Sequence, residues 1–229
     1  MSGYPGIRSP SRSDLLSAFG PFAPLAHRVL TAAGPLSTDG SHDLSHILRV
    51  WRSAEAIARE EGGCDLELLA VAVLLHDCVA VEKDSPQRPF ASRLSAERAR
   101  EIAGDLGWDA ARLDALVHVI EAHSFSAGIE PHTLEAFVLQ DADRLDAIGA
   151  IGIARCFHTG GRMHSALYEP ADPAGKDRAL DDRRYALDHF KAKLFRVAVG
   201  FRTRVGQAMA ERRSATMREF VEAFLREVA

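Results

Sequence analysis

No apolar run in the chain is long enough to cross a bilayer. The longest, Leu68 to Leu75, falls well short of the roughly 20 residues that a membrane-spanning helix needs. The opening MSGYPGIRSPSRSD lacks the apolar stretch of a secretory signal. Cysteine is scarce: Cys64, Cys78 and Cys156 are odd in number, widely spaced and form no CxxC pair. That excludes a disulfide framework or zinc ribbon and reads as reduced thiols in a cytoplasm. A basic excess is missing too. The formal net charge of -4 argues against a general nucleic-acid binder while leaving room for a local phosphate pocket. Repeats, low-complexity tracts, sustained period-2 alternation and Asn-Gly hairpins are all absent, which disfavours sheet folds.

What remains is helical periodicity. A chain of 229 residues with 47% hydrophobic content can bury a core without disulfides or a structural metal. Residues 1 to about 13 are rich in Ser, Pro, Gly and Arg, and a mobile tail is expected over 1–20. Residues 21–229 read as a single domain: a core over about 42–158, an irregular segment over 159–182 and C-terminal helices over 183–229. The pattern predicts a helix from about Asp43 to Glu60, with Leu44, Ile47, Leu48, Trp51 and Ala54 as its apolar stripe and Gly62-Gly63 at its end. Asp65 caps a second, LELLAVAVLLHD, apolar nearly all round and hence central. Ser95 is expected to cap a helix stopping at Gly107, followed by one from about Asp109 to His123. Pro131 and Thr133 open a long helix through AFVLQDADRLDAIGAIGIARCF. Two helices, about 182–212 and 214–228, close the chain.

His76-Asp77 ends the most hydrophobic of these helices. A carboxylate is costly there unless paired or bound to a metal. Alone, a His-Asp dipeptide means little. Upstream, however, His42, His46 and Arg49 share a helical face that is not the apolar stripe. Downstream, Asp141, Asp143 and Asp146 lie among Phe137, Val138, Leu139, Leu145, Ile148 and Ile151. At least one of those carboxylates is expected to face a cation or an arginine inside the structure. Histidines with carboxylates form a mixed nitrogen and oxygen donor set, suited to a divalent ion with open positions. Such an ion polarises phosphoryl oxygens and acidifies bound water.

In the order H…HD…D, HILRV, LLHD and DADRLDAIG resemble the HD superfamily of metal-dependent phosphohydrolases over about residues 25–215. SHDLSHILRV, EAHSFSAG, QDADRLDAIGAIGIAR and LDDRRYALDHFKAKL are similar to the YedJ-type HD hydrolases of bacteria. The resemblance implies an all-α helical bundle with a mononuclear metal site at its centre, the metal core covering about 42–158. It implies His46, His76, Asp77 and Asp143 as ligands of one divalent ion: Mn, Mg, Co, Ni, Fe or Zn. Asp141 competes with Asp143, lying two residues away on the face of Leu145 and Ile148. Some nucleotidase branches carry a glutamate three residues after the HD aspartate. Here that place is Ala80, followed by Val81, Glu82 and Lys83, so the general acid or base does not carry over.

A phosphate needs donors near the metal. Arg49, Lys83, Arg88 and Arg144 are the candidates for binding it, with Lys83 also placed to neutralise transferred charge. Asp77 or His123 is the candidate for moving protons, His123 ending its helix beside Ser124 and Ser126. His42 and Asp43 are candidates for orienting His46. The expected activity is hydrolysis of a small phosphate ester, a nucleotide first among them, as a phosphatase or pyrophosphohydrolase. The other reading is a non-enzymatic HD module sensing a nucleotide or metal. Neither long nucleic acid nor membrane is an expected partner. A substrate-closing or homodimer-forming role stays open for the stretch containing Tyr185, His189, Lys191 and Lys193.

Overall fold

The computed structural model describes residues 10–34, 44–81, 85–124 and 127–228, without the side chain of Arg88. The chain divides into two compact units, Met1–Ala142 and Asp143–Ala229. Helices dominate both, and among the described residues the only sheet-like pairing is an isolated bridge between Ala166 and Tyr185. None of the described helices is long and apolar enough to cross a membrane.

The first unit is built round α4 (Leu66–Leu75). The Asp65 carboxylate accepts from the amides of Glu67 and Leu68, capping its start. Leu68 to Leu75 are all buried, as an all-round apolar helix demands. Around α4 pack α2 (Ala23–Ala33), α3 (Leu44–Glu61), α5 (Ala91–Asp105) and α6 (Ala110–His123). Asp109, the expected start of this helix, caps α6.

Three expectations in this unit need correction. The tail does not reach residue 20. Ser11 and Asp14 form a capping box at the start of α1 (Arg12–Ala18). Leu15 and Phe19 are buried, and Phe19 stacks on Trp51 at 4.4 Å. The polar composition hid these two anchors and the α2 stripe that follows. Ser95 is not a cap: α5 begins at Ala91, and Ser95 is fully buried within it, its hydroxyl accepting the Val79 amide at 3.3 Å. The long helix from Thr133 is two, α7 (Leu134–Asp146) and α8 (Gly149–Arg162).

The break has a local cause in the second unit. Gly149 adopts φ +73, and a Cβ there would meet the Arg213 side chain at 3.0 Å. A Cβ on Gly152 would fall 2.4 Å from the Ala147 carbonyl oxygen. The two glycines of DAIGAIG therefore permit a sharp turn that helical periodicity alone cannot signal.

Beyond α8 the irregular stretch starts at residue 163, later than predicted. It is fastened by Arg178, which forks onto Asp188 at 2.6 and 2.7 Å. The predicted helix over 182–212 is absent. In its place stand turns, a π turn at Phe190–Leu194, the short α9 (Phe195–Val197) and Gly200 at φ +78. Thr203 then caps α10 (Arg204–Glu227), which runs unbroken through the buried Ser214 and packs on α8. Phe157 of α8, Phe190, and Phe220 and Phe224 of α10 form an aromatic cluster.

Candidate metal centre

Three elements of the first unit deliver the key side chains. His46 comes from the first turn of α3, on a face shared with Val50, Ser53 and Ile57, all buried. His76 caps the C-terminal end of α4, and Asp77 follows in the turn. His123 is the last residue of α6. The three histidines are at most 4% exposed, whereas the Asp77 side chain is 26% exposed. One carboxylate therefore faces solvent at the edge of a buried imidazole group.

His76 and His123 are oriented by the same device. Each ends a helix, and each Nδ1 faces the carbonyl three residues back: Val73 at 2.8 Å and Ile120 at 2.6 Å. A carbonyl only accepts, so Nδ1 carries the hydrogen and donates it. In the neutral ring that leaves the Nε2 lone pair turned outward, the tautomer a metal ligand needs. The His76 Nε2 lies 3.6 Å from Asp77 Oδ2, and the His123 Nε2 lies 3.7 Å from Asp77 Oδ1. The His46 Nε2 lies 3.2 Å from that of His76.

Donor atoms of His46, His76 and Asp77 fall within 4.8 Å of one another. Electron pairs of buried imidazole nitrogens converging on a carboxylate at their solvent edge repel it unless a cation or a proton sits among them. The donor set thus fits a divalent ion, with soft thiolates absent from it. Thiol chemistry is disfavoured in any case. Burial above all pushes Cys64 up to about 12, and Cys78 and Cys156 up to about 11.

The other candidates fall in several places. Asp141 and Asp143 lie on α7, the former fully buried and the latter half-buried. Asp146 is held by Arg155 at 2.9 Å, the internal carboxylate–arginine pair that the sequence called for. The Arg144 guanidinium donates to the carbonyls of Gly200 at 2.8 Å, Val197 at 2.9 Å and Val199, and stacks on Phe201. Arg49 is half-buried on α3. His42, Asp43, Lys83 and Ser126, and the side chain of Arg88, lie outside the described residues. Tyr185, His189, Lys191 and Lys193 do not lie along the single helix expected over 182–212. His189 pairs with Asp182 at 2.9 Å, Lys191 donates to the Ala174 carbonyl, and Arg178 lies over the Tyr185 ring.

One residue absent from the sequence candidates supports the site. Gln140 is buried, and its amide donates to the Ala122 carbonyl at 2.8 Å, pinning the last turn of α6 next to His123. A polar residue inside the apolar run of α7 was its only signal.

Comparison with known proteins places this geometry. A family model for the HD domain matches residues 43–148. The Bacillus subtilis protein YpgQ is 33% identical over 202 residues, which cover 86% of this chain and 90% of YpgQ. The crystal structure of YpgQ in complex with ADP aligns with a TM-score of 0.65 at 30% identity, over 93% of this chain and 96% of that one. The crystal structure of an HD-superfamily hydrolase from Bacillus thuringiensis aligns with a TM-score of 0.66 at 28% identity, over 94% and 97% of the two chains. With its histidines and aspartate gathered at the ends of buried helices, the chain belongs to the HD superfamily of hydrolases.

Proposed function

We propose that the chain is a metal-dependent phosphohydrolase acting on a small phosphate ester, with a nucleotide as its substrate class. The observation that carries this reading is Asp77, flanked on one oxygen by His76 and on the other by His123. The ADP bound to the related YpgQ supports the nucleotide. His46, His76, Asp77 and Asp143 would hold one divalent ion, the last assigned by motif. When bound, that ion supplies Lewis acidity toward a phosphoryl oxygen and lowers the pKa of water.

The chain's own residues do the rest. The Nδ1–H bonds to Val73 and Ile120 fix two imidazoles before any ligand arrives, so no reorganisation is needed at the moment of reaction. His123, oriented by its Nδ1–H bond to the Ile120 carbonyl, takes up or releases a proton at Nε2 on the leaving-group side, where the nearby Asp77 charge favours the protonated ring. Arg49, Lys83 and Arg88 supply positive charge to the phosphate. Arg144, already donating to three carbonyls, serves the framework instead.

The test is a screen of nucleoside mono-, di- and triphosphates against Mn, Co, Ni and Mg, with EDTA as control. Product should form only with metal. Asp77→Ala should lower the rate by at least about a hundredfold, the scale of a lost electrostatic contact to the reacting centre. Full activity in Asp77→Ala sinks the reading. Nucleotide binding without turnover in the wild type would favour a sensor.

A further inference from the structure

We propose that Gln140 is a positioning residue for His123: its side-chain amide holds the end of α6 and so sets where the His123 Nε2 stands, a role that rests on the phosphohydrolase reading. Gln140 lies within α7 and is 3% exposed. Val138 and Leu139 beside it are fully buried. A primary amide in such a place is costly unless it is hydrogen-bonded. Its Nε2 donates to the Ala122 carbonyl at 2.8 Å, one residue before His123.

The way α6 ends gives that bond its consequence. The last four carbonyls of a helix have no partner within it. Helices α5 and α8 close theirs from the main chain, the amides of Leu106 and Met163 turning back onto the last turn. Ser124, which follows α6, is extended instead, with φ -81° and ψ 116°. The chain therefore leaves the helix directly after His123, and side chains meet two of the terminal carbonyls. Ile120 accepts the His123 Nδ1–H at 2.6 Å, and Ala122 accepts the Gln140 amide.

These two bonds act in series. The first fixes the imidazole against its own helix. The place of Nε2 is then decided by the place of the helix end, and the second bond ties that end to α7. Nε2 lies 3.7 Å from Asp77 Oδ1, and the ring stands edge-on to that of His76 at 5.0 Å. A proton is passed only within hydrogen-bond reach, and misplacement by about 1 Å can cost a hundredfold in rate. Without the Gln140 amide the Ala122 carbonyl loses its donor, and the last turn has to shift to recover one.

Mn2+-dependent hydrolysis of AMP, ADP and ATP by the full chain tests the proposal in a double-mutant cycle of Gln140→Met and His123→Ala, with Mn2+ titrated separately. Methionine keeps the length and the helical preference but donates nothing. Gln140→Met should lower kcat about tenfold, the scale of one buried hydrogen bond, with KM and Mn2+ affinity within about twofold of wild type. In the His123→Ala background the same change should have no further effect, because the group being positioned has gone. Gln140→Asn, too short to reach Ala122, should match Gln140→Met and replaces it if methionine prevents folding. An unchanged kcat in Gln140→Met overturns the proposal and leaves the phosphohydrolase reading standing. An equal loss in both backgrounds, a loss of Mn2+ binding, or failure of both Gln140 variants to fold assigns Gln140 to the framework and also overturns it. If the wild type turns over none of the three nucleotides, the phosphohydrolase reading fails and the role of Gln140 goes with it.

Discussion

The two units use buried polar groups for opposite ends. In Met1–Ala142 the core is built round eight consecutive buried apolar residues in α4. Its buried histidines gather round one carboxylate at helix ends. In Asp143–Ala229 arginines do the fastening: Arg155 holds Asp146, Arg178 holds Asp188, and Arg144 and Arg213 hold backbone carbonyls. A carboxylate met by guanidinium is already satisfied and belongs to the framework. A carboxylate met by outward-turned imidazole nitrogens calls for a cation. The partner, more than the burial, separates site from scaffold.

The sharpest way to break this comparison lies on α7, which carries Asp141 and Asp143 beside the arginine-held Asp146. Asp143→Asn should lower metal affinity by more than about a hundredfold, beyond the loss typical of an outer-sphere contact. Asp141→Asn should keep the metal. Metal content after dialysis, with Mn2+ titration, decides it, and the reverse pattern moves the fourth ligand to Asp141.

A smaller effect is expected where the second unit is fastened. Burial opposes ionisation of Asp188, but hydrogen bonds from Arg178 and the Asp181 amide, with the charges of Arg178 and Lys191, outweigh it and hold the carboxyl below its usual range. The folded pKa is thus depressed. The stability it confers is present above the unfolded value and is lost as pH falls through the folded one, below about 4. Asp188→Asn should lower the melting temperature at pH 7 by roughly 5 °C. The gap to wild type should close toward pH 3. A gap independent of pH would show that the carboxylate charge contributes nothing.

How much of this the sequence disclosed follows from what each feature needs. A helix such as α4 needs only an unbroken apolar run and a capping Asp65, both local and both legible. The metal residues needed context, and His46, His76 and Asp77 do come together. The break before Gly149 could not be read from helical periodicity, because it rests on the left-handed φ of one glycine, and the Arg213 side chain that crowds that position lies 64 positions on in the sequence. Residues 182–203 misled for a related reason. Their charges resemble a solvated helix face, yet Asp188 and Arg178 satisfy each other within an irregular fold. Gln140 escaped because a lone polar residue on an apolar face shows its meaning only once its neighbours are known.

The smallest effect concerns the first unit again. At its surface, the His118 Nε2 accepts the His132 amide at 3.2 Å, and the two rings lie 3.6 Å apart. Protonation would remove that lone pair and set a charge beside His132. Burial first, and then His132, lowers the pKa of His118 below its ordinary value. The unfolded chain therefore takes up the proton more readily. The contribution is intact above about pH 6.5 and is lost as pH falls through the lowered folded value. Solvent at this half-open position screens the effect and keeps it small. Melting curves between pH 8 and pH 5 should be flatter for His118→Ala than for wild type, and parallel curves would refute the assignment. Because the Asp188 contribution is lost only below about pH 4, acid should loosen the two units in separate windows: the histidine contact of the first goes before the arginine clamp of the second.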